Sequence, residues 1–175
     1  MHLSVVQEQL KRGLHIVGHV VGAKAPLPVL SNVLLTAENG RLRLLASNLQ
    51  TGVACFVDAT VLEPGATTLP AKLLGDFVST LPNETVTLLL DARTQSTQLQ
   101  CAAARANIKG IDAEEFPMPS TADVLSVTTI SGADLRSAIE QVAVMATTDD
   151  ARPVLAGVLL KLNGTAATLA AMDGF

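Results

Sequence analysis

Tryptophan and tyrosine are absent from this 175-residue chain, and phenylalanine occurs only four times. A core must therefore be built from Leu, Val and Ala, and a surface that reads single-stranded bases by stacking has no platform to offer. Cysteine is scarce as well. Cys55 and Cys101 have neither metal-ligand spacing nor a small secreted scaffold around them, so both are expected to be reduced and buried. Charged residues make up only 16% of the chain against 49% hydrophobic ones, at a mean hydropathy of +0.40, a balance that excludes intrinsic disorder. The net charge of −4 gives no global attraction to nucleic acid, so any such contact has to come from a local patch. Met1-His2-Leu3-Ser4 lacks the charged region and apolar run of a secretory leader. The longest weakly polar stretch, residues 153–172, is cut by Lys161 and by Asn163-Gly164, a hairpin signal, so it fits two strands better than a membrane span. A cytoplasmic protein without a membrane segment is expected.

What is present is a repeat. Pro28-Val29-Leu30 returns 125 positions later as Pro153-Val154-Leu155, and Val33-Leu34-Leu35 as Val158-Leu159-Leu160. In the same register Leu44 meets Leu169, Ala46 meets Ala171, Leu10 meets Leu135, Lys11 meets Arg136 and Val17 meets Val142. A gapless period of this length is too long for a solenoid and is the size of one domain. The chain reads as one complete domain, residues 1–119, followed by the first part of a second copy, residues 120–175. The second copy is expected to be an incomplete half with an unpaired sheet edge, which points to a fragment of a longer chain.

The spacing within the first copy predicts a strand over 3–6 and a helix over 7–21, with Leu10, Leu14, Val17 and Val21 on its buried side. Strands follow over 29–37, 41–46 and 53–62, the first two joined at Asn39-Gly40. Glu63-Pro64-Gly65 turns the chain into a second helix that starts near Pro70 and buries Leu73, Leu74, Phe77, Val78 and Leu81. Strands over 85–91, 98–103 and 105–111 complete a smaller internal echo of strand, helix, turn and strands. Phe116-Pro117-Met118-Pro119 is a rigid connector. A strand over 124–130, a helix over 133–146 and the second hairpin come after it. The fold class is α+β, with repeated domains in which two helices pack on one side of antiparallel sheets.

No phosphate loop, nucleophile elbow or Cys/His pair is present. His15 and His19 have the four-residue spacing of a two-histidine metal face, but with no third ligand they are read as part of a solvated basic stripe with Lys11 and Arg12. Asp149, Asp150 and Asp173 form the alternative of a carboxylate metal site, which no spacing enforces. Neither a metal nor a cofactor is expected. The placement of positive charge is more telling: Lys11, Arg12, His15 and His19 share one helix face, Lys24 follows it, and Lys72 opens the second helix. Asp112, Glu114 and Glu115 lie elsewhere, near the boundary. An acidic protein with one basic helical face suits sequence-independent contact with DNA phosphates.

The residues resemble a known family. Leu27-Pro28-Val29-Leu30-Ser31-Asn32-Val33-Leu34-Leu35 and the hairpin after it are similar to the first domain of the bacterial DNA polymerase III β subunit, the sliding clamp. Glu63-Pro64-Gly65 with Leu69-Pro70-Ala71-Lys72, Glu115-Phe116-Pro117, and Asp150-Ala151-Arg152-Pro153-Val154-Leu155-Ala156-Gly157-Val158 with Met172-Asp173-Gly174 continue the resemblance along essentially the whole chain. The resemblance implies three such domains per subunit, a head-to-tail homodimer ring around duplex DNA, and a processivity function without chemistry. Its partners would be double-stranded DNA, and the polymerase III alpha subunit and clamp loader through short peptides. Carried over by position, Arg12, Lys24, Lys72, Arg152, Pro153 and Val154 correspond to DNA-facing positions. Leu155, Met172, Gly174 and Phe175 correspond to one wall of the peptide groove.

The chain departs from the family in three places. Asp149-Asp150 puts acid into a DNA-facing loop, Arg136 has Glu140 four residues on, and the usual Thr-Asp-Gly-His-Arg is Met172-Asp173-Gly174-Phe175. A diverged clamp-like interaction module without DNA tethering is the alternative reading, and basic charge on the completed helix surface separates the two.

Overall fold

The structure, a computed structural model, describes residues 1–22, 26–118, 127–149 and 151–174. Two compact units divide the chain, Met1–Thr121 and Ala122–Phe175.

The first unit runs β1 (His2–Val6), α1 (Gln7–Gly18), a 3-10 turn (Pro28–Ser31), β2 (Asn32–Glu38), β3 (Arg41–Ser47) and β4 (Gly52–Glu63). It continues with β5 (Gly65–Pro70), α2 (Ala71–Thr80), β6 (Thr85–Asp91), β7 (Ser96–Cys101) and β8 (Ala104–Lys109). These strands form one antiparallel sheet in the order β5-β2-β3-β4-β1-β6-β7-β8. The order repeats one pattern: each β-α-β-β-β segment lays its last three strands side by side, β2-β3-β4 and β6-β7-β8, and lends its first strand to the other segment, β1 beside β6 and β5 beside β2. The seam between β4 and β1 is a run of pairs from His2↔Glu63 to Val5↔Ala59, with a shift of register between His2 and Leu3. The opposite seam is a single bridge, Thr68↔Ile111, and it closes the sheet on itself.

Alternation along the strands places one apolar set inside. Leu3 and Val5, Val33, Leu35 and Ala37, Leu42, Leu44 and Ala46, and Val86 and Leu88 all reach one core, which Leu10, Leu14 and Val17 of α1 and Leu74 and Val78 of α2 complete. Both helices therefore pack on the same face of the sheet. The opposite face carries a second, smaller cluster of Val29, Leu30, Leu34, Leu45 and Phe116. Phe116, read from the sequence as part of a connector, is 3% exposed and plugs that cluster.

Tertiary contacts take over several helix-end roles. No side chain caps α1; instead Gln7 N donates to Glu84 O at 2.9 Å, and Gln7 Nε2 donates to Val78 O at 2.7 Å. The helix ends at Gly18, earlier than the apolar stripe predicts, and Val21 is only half-buried. Residues 28–31 coil into a 3-10 turn because Pro28 fixes its φ, so β2 begins at Asn32 rather than residue 29. The 65–70 segment, absent from the predicted elements, is β5, and Pro70 is the residue before α2 rather than its first turn. Leu73 is 54% exposed, since the position beside it, Leu74, already faces the core. Cys101 is buried, but Cys55 is only half-buried, on a strand whose alternate residues face solvent; both are free.

In the second unit α3 (Gly132–Val142) is capped by Ser131, whose Oγ accepts from Asp134 N at 3.4 Å, and continues as a 3-10 turn, Ala143–Met145. A second 3-10 turn, Pro153–Ala156, precedes the hairpin of β9 (Leu159–Asn163) and β10 (Ala166–Ala170). The strand expected over 124–130 falls partly outside the described residues, and residues 127–130 form none. The 125-residue period holds in three dimensions. Leu34↔Leu45 and Glu38↔Arg41 in the first hairpin become Leu159↔Ala170 and Asn163↔Ala166 in the second. The loops differ in one respect. Asn39 and Gly40 both have positive φ (50° and 71°), the conformation an Asn-Gly turn provides, whereas Asn163 is the last strand residue and Gly164 (φ 58°) opens its loop.

Candidate nucleic-acid interface

Lys11, Arg12 and His15 stand on the exposed side of α1, opposite Leu10, Leu14 and Val17. Because α1 and α2 pack side by side, this face forms one wall of a groove of about 530 Å³, with Glu8 and Leu14 beside it and Gly75, Asp76 and Ser79 of α2 across it. Lys72 is exposed in the first turn of α2, where no acidic residue balances it. A cation there adds to the positive end of the helix dipole, an arrangement that costs the fold a little and concentrates positive potential at one point of the surface. Among the described residues the ion pairs are Arg41–Asp58, Arg136–Glu140 and Arg152–Asp149, so Lys11, Arg12 and Lys72 are in none of them. The arrangement suits loose contact with phosphates. Glu8 and Asp76 were not among the sequence-derived site residues; the four-residue step from Lys72 to Asp76 was the available signal.

In the second unit the basic character is weaker. Arg136 Nε lies 2.8 Å from Glu140 Oε1, as the spacing predicts. Arg152 Nε lies 3.3 Å from Asp149 Oδ2. Asp149 also organises its own loop, accepting from Ala151 N at 3.0 Å through Oδ1, while its backbone amide donates to Thr147 Oγ1 at 3.1 Å. This carboxylate is thus engaged in holding a turn and an arginine, and among the described residues no three His, Cys, Asp or Glu side chains gather as a metal site. Asp150, Lys24 and Phe175 lie outside the described residues.

Leu155 and Met172 both line an apolar pocket of about 350 Å³ whose walls include Val158, Leu159, Ala170 and Ala171. Gly174, at φ 94°, closes over Arg152: a Cβ there would sit 2.8 Å from Arg152 Nη1 and 3.1 Å from Leu155 Cδ1. Pro153 begins the 3-10 turn, and Val154, 89% exposed, lines this pocket. The structure thus brings Leu155, Met172 and Gly174 together, with Arg152 behind Gly174.

A closed sheet of two equal halves with two helices on one face, whose first helix and hairpin recur at a domain-sized period, is the architecture of the α+β clamp class. The comparisons carry this further. Residues 1–120 match the description "DNA polymerase III beta subunit, N-terminal domain", and residues 129–175 match "DNA polymerase III beta subunit, central domain". The chain belongs to the DNA polymerase III beta subunit family. It is 35% identical to the beta sliding clamp of Synechocystis sp. over 99% of its own length and 46% of the relative's. To the beta sliding clamp of Streptomyces coelicolor it is 31% identical, over 100% of the chain and 46% of the relative. The crystal structure of a Pseudomonas aeruginosa sliding clamp bound to griselimycin superimposes with a TM-score of 0.92 at 30% identity, covering 99% of this chain and 47% of that one. The chain spans about half the length of the curated relatives it matches.

Proposed function

We propose that the chain forms part of a sliding clamp, a head-to-tail homodimeric ring that encircles duplex DNA and tethers the replicative DNA polymerase III, with no chemistry of its own. Its two domains are residues 1–119 and 120–175. The observation that carries this reading is the unpaired, exposed set Lys11, Arg12 and Lys72 on two helices that share one face of a closed sheet. No aromatic platform or base-reading constellation accompanies them. Lys and Arg on such a surface bind phosphates without regard to sequence, and each contact releases counterions, so the attraction is weak and salt-sensitive. That is what movement along DNA requires.

Arg12, Lys24 and Lys72 are the proposed DNA contacts of the first domain, and Arg152, Pro153 and Val154 those of the second. The ion pair to Asp149 offsets part of the charge that Arg152 offers a phosphate. Leu155, Met172, Gly174 and Phe175 form the proposed wall on which the polymerase alpha subunit and the clamp loader dock short peptides, and the apolar pocket at Leu155 and Met172 supports it.

The test is topological. The subunit, loaded onto nicked circular plasmid, stays with the circle through gel filtration and leaves it after a single cut linearises the DNA. Retention that survives linearisation refutes encirclement.

A further inference from the structure

His15 lies in the last turn of α1 and His19 caps its C-terminal end, both exposed; His19 keeps helical dihedrals at φ −62° and ψ −21°. Residues four apart on a helix project one above the other. Their ring centres are 4.8 Å apart and their planes cross at 73°. Two imidazoles bound to one ion through bonds of about 2.0–2.1 Å have ring centres roughly 4.5–5 Å apart when the bond angle is about 90–110°. The free rings already stand at that separation. Among the described residues no hydrogen bond or ion pair engages either ring. The terminal torsion of histidine is broad, so either ring can turn about its Cβ–Cγ bond while the helix backbone stays in place.

We propose that α1 carries a two-histidine chelate site for a borderline divalent metal ion of the Zn2+ or Ni2+ class, its remaining positions filled by water. The donor set decides the class. Neutral imidazole nitrogen suits Zn2+, Ni2+ and Cu2+, whereas Mg2+ and Ca2+ require oxygen ligands. Once one ring binds, the second is held at high local concentration by the helix, and the pair binds far better than either ring alone. The charges nearby keep the site weak. Lys11 and Arg12 repel the ion, while Glu8 and Asp76, which line the same groove as His15, offset part of that repulsion. A bound ion adds two positive charges to the Lys11–Arg12 face.

The experiment is calorimetric titration of Zn2+, and separately Ni2+, into the 175-residue chain and its variants. The chain has three histidines, and His2 beside the amino terminus is an independent metal-binding candidate, so His2→Gln supplies the control. One ion per chain is expected in both the unmodified chain and His2→Gln. Either His15→Gln or His19→Gln weakens binding about tenfold or more, and the double variant loses the single-imidazole binding that remains. Zn2+ should raise the thermal midpoint of the unmodified chain and of His2→Gln but not of His15→Gln. Both positions are exposed, and unchanged far-ultraviolet circular dichroism confirms that the variants fold. The proposal is overturned if the unmodified chain takes up no ion, if His15→Gln and His19→Gln bind as it does, or if His2→Gln alone abolishes binding.

Discussion

Gly110→Ala tests whether the bridge between β5 and the end of β8 closes the first unit. At Gly110 the chain passes so close to β5 that an added Cβ runs into the Thr68 carbonyl oxygen, with Thr67 Oγ1 at 3.1 Å and Leu69 Cδ2 at 3.2 Å behind it. The obstacle is backbone, which cannot rotate away. The strands must separate, and the hydrogen bonds of three donors go with them. Thr68 N donates to Ile111 O (3.1 Å), Ile111 N is shared between Thr68 O and Thr68 Oγ1 (3.2 Å to each), and Thr68 Oγ1 donates to Ile111 O (2.8 Å). At about 1 kcal/mol per donor the loss is about 3 kcal/mol. Alanine restricts the unfolded chain and returns about 0.4–1 kcal/mol, leaving a net destabilisation of about 2 kcal/mol. The matched control is Gly75→Ala, inside α2 with nothing within 4 Å of the added carbon, which should stabilise the unit by up to about 1 kcal/mol. Urea unfolding followed by far-ultraviolet circular dichroism measures both. Fluorescence offers no alternative in a chain without Trp or Tyr. If Gly110→Ala unfolds at or above the urea midpoint of the unmodified chain, the bridge does not hold the seam, and the closed-sheet account is wrong.

The other predictions concern charge, thiols and one turn. Lys72→Ala should weaken binding of the chain to duplex DNA and lower the slope of log affinity against log salt by about one, while raising stability by about 0.3–1 kcal/mol because it relieves the helix dipole. Fluorescence anisotropy and thermal melts of the same variant read the two effects, and equal salt slopes would remove Lys72 from the interface. Cys55 should react with a maleimide under native conditions well before Cys101, which is 1% exposed and whose thiol pKa is raised by burial and by the nearby Glu84 carboxylate. Since the folded thiol holds its proton to higher pH than the unfolded one, its contribution to stability is intact below the ordinary thiol pKa and falls as pH rises above it. Urea midpoints taken from neutral to alkaline pH in the unmodified chain and Cys101→Ala check the sign. Gly40→Ala, at φ 71° in the first hairpin, should cost about 1–2 kcal/mol, read as a lower urea midpoint.

The sequence alone determined what depends on neighbours within a few positions. The alternation of Val33, Leu35 and Ala37, the stripe of Leu10, Leu14 and Val17, and the Asn39-Gly40 turn each express a backbone period or dihedral that holds wherever the segment lies. The 125-residue repeat was equally legible, since one copy's pattern predicts the other's, and the registers of the two hairpins agree with it. Tertiary structure decided what depends on residues far apart in the chain. The bridge from Thr68 to Ile111 joins positions 43 apart, and no local pattern marks Gly110 as the residue that lets them meet. Strand β5 pairs with β2, and its own Gly-Ala-Thr-Thr carries too little alternation to announce it. Phe116 looked like punctuation between prolines until the outer face of β2 and β3 gave it a place to bury. At the candidate site the same division holds. The basic face of α1 follows from helical spacing, and the pairing of Arg152 with Asp149 joins residues only three apart, but the presence of Asp76 across the groove and the placement of Val154 in the apolar pocket follow from how segments pack, which sequence spacing does not encode.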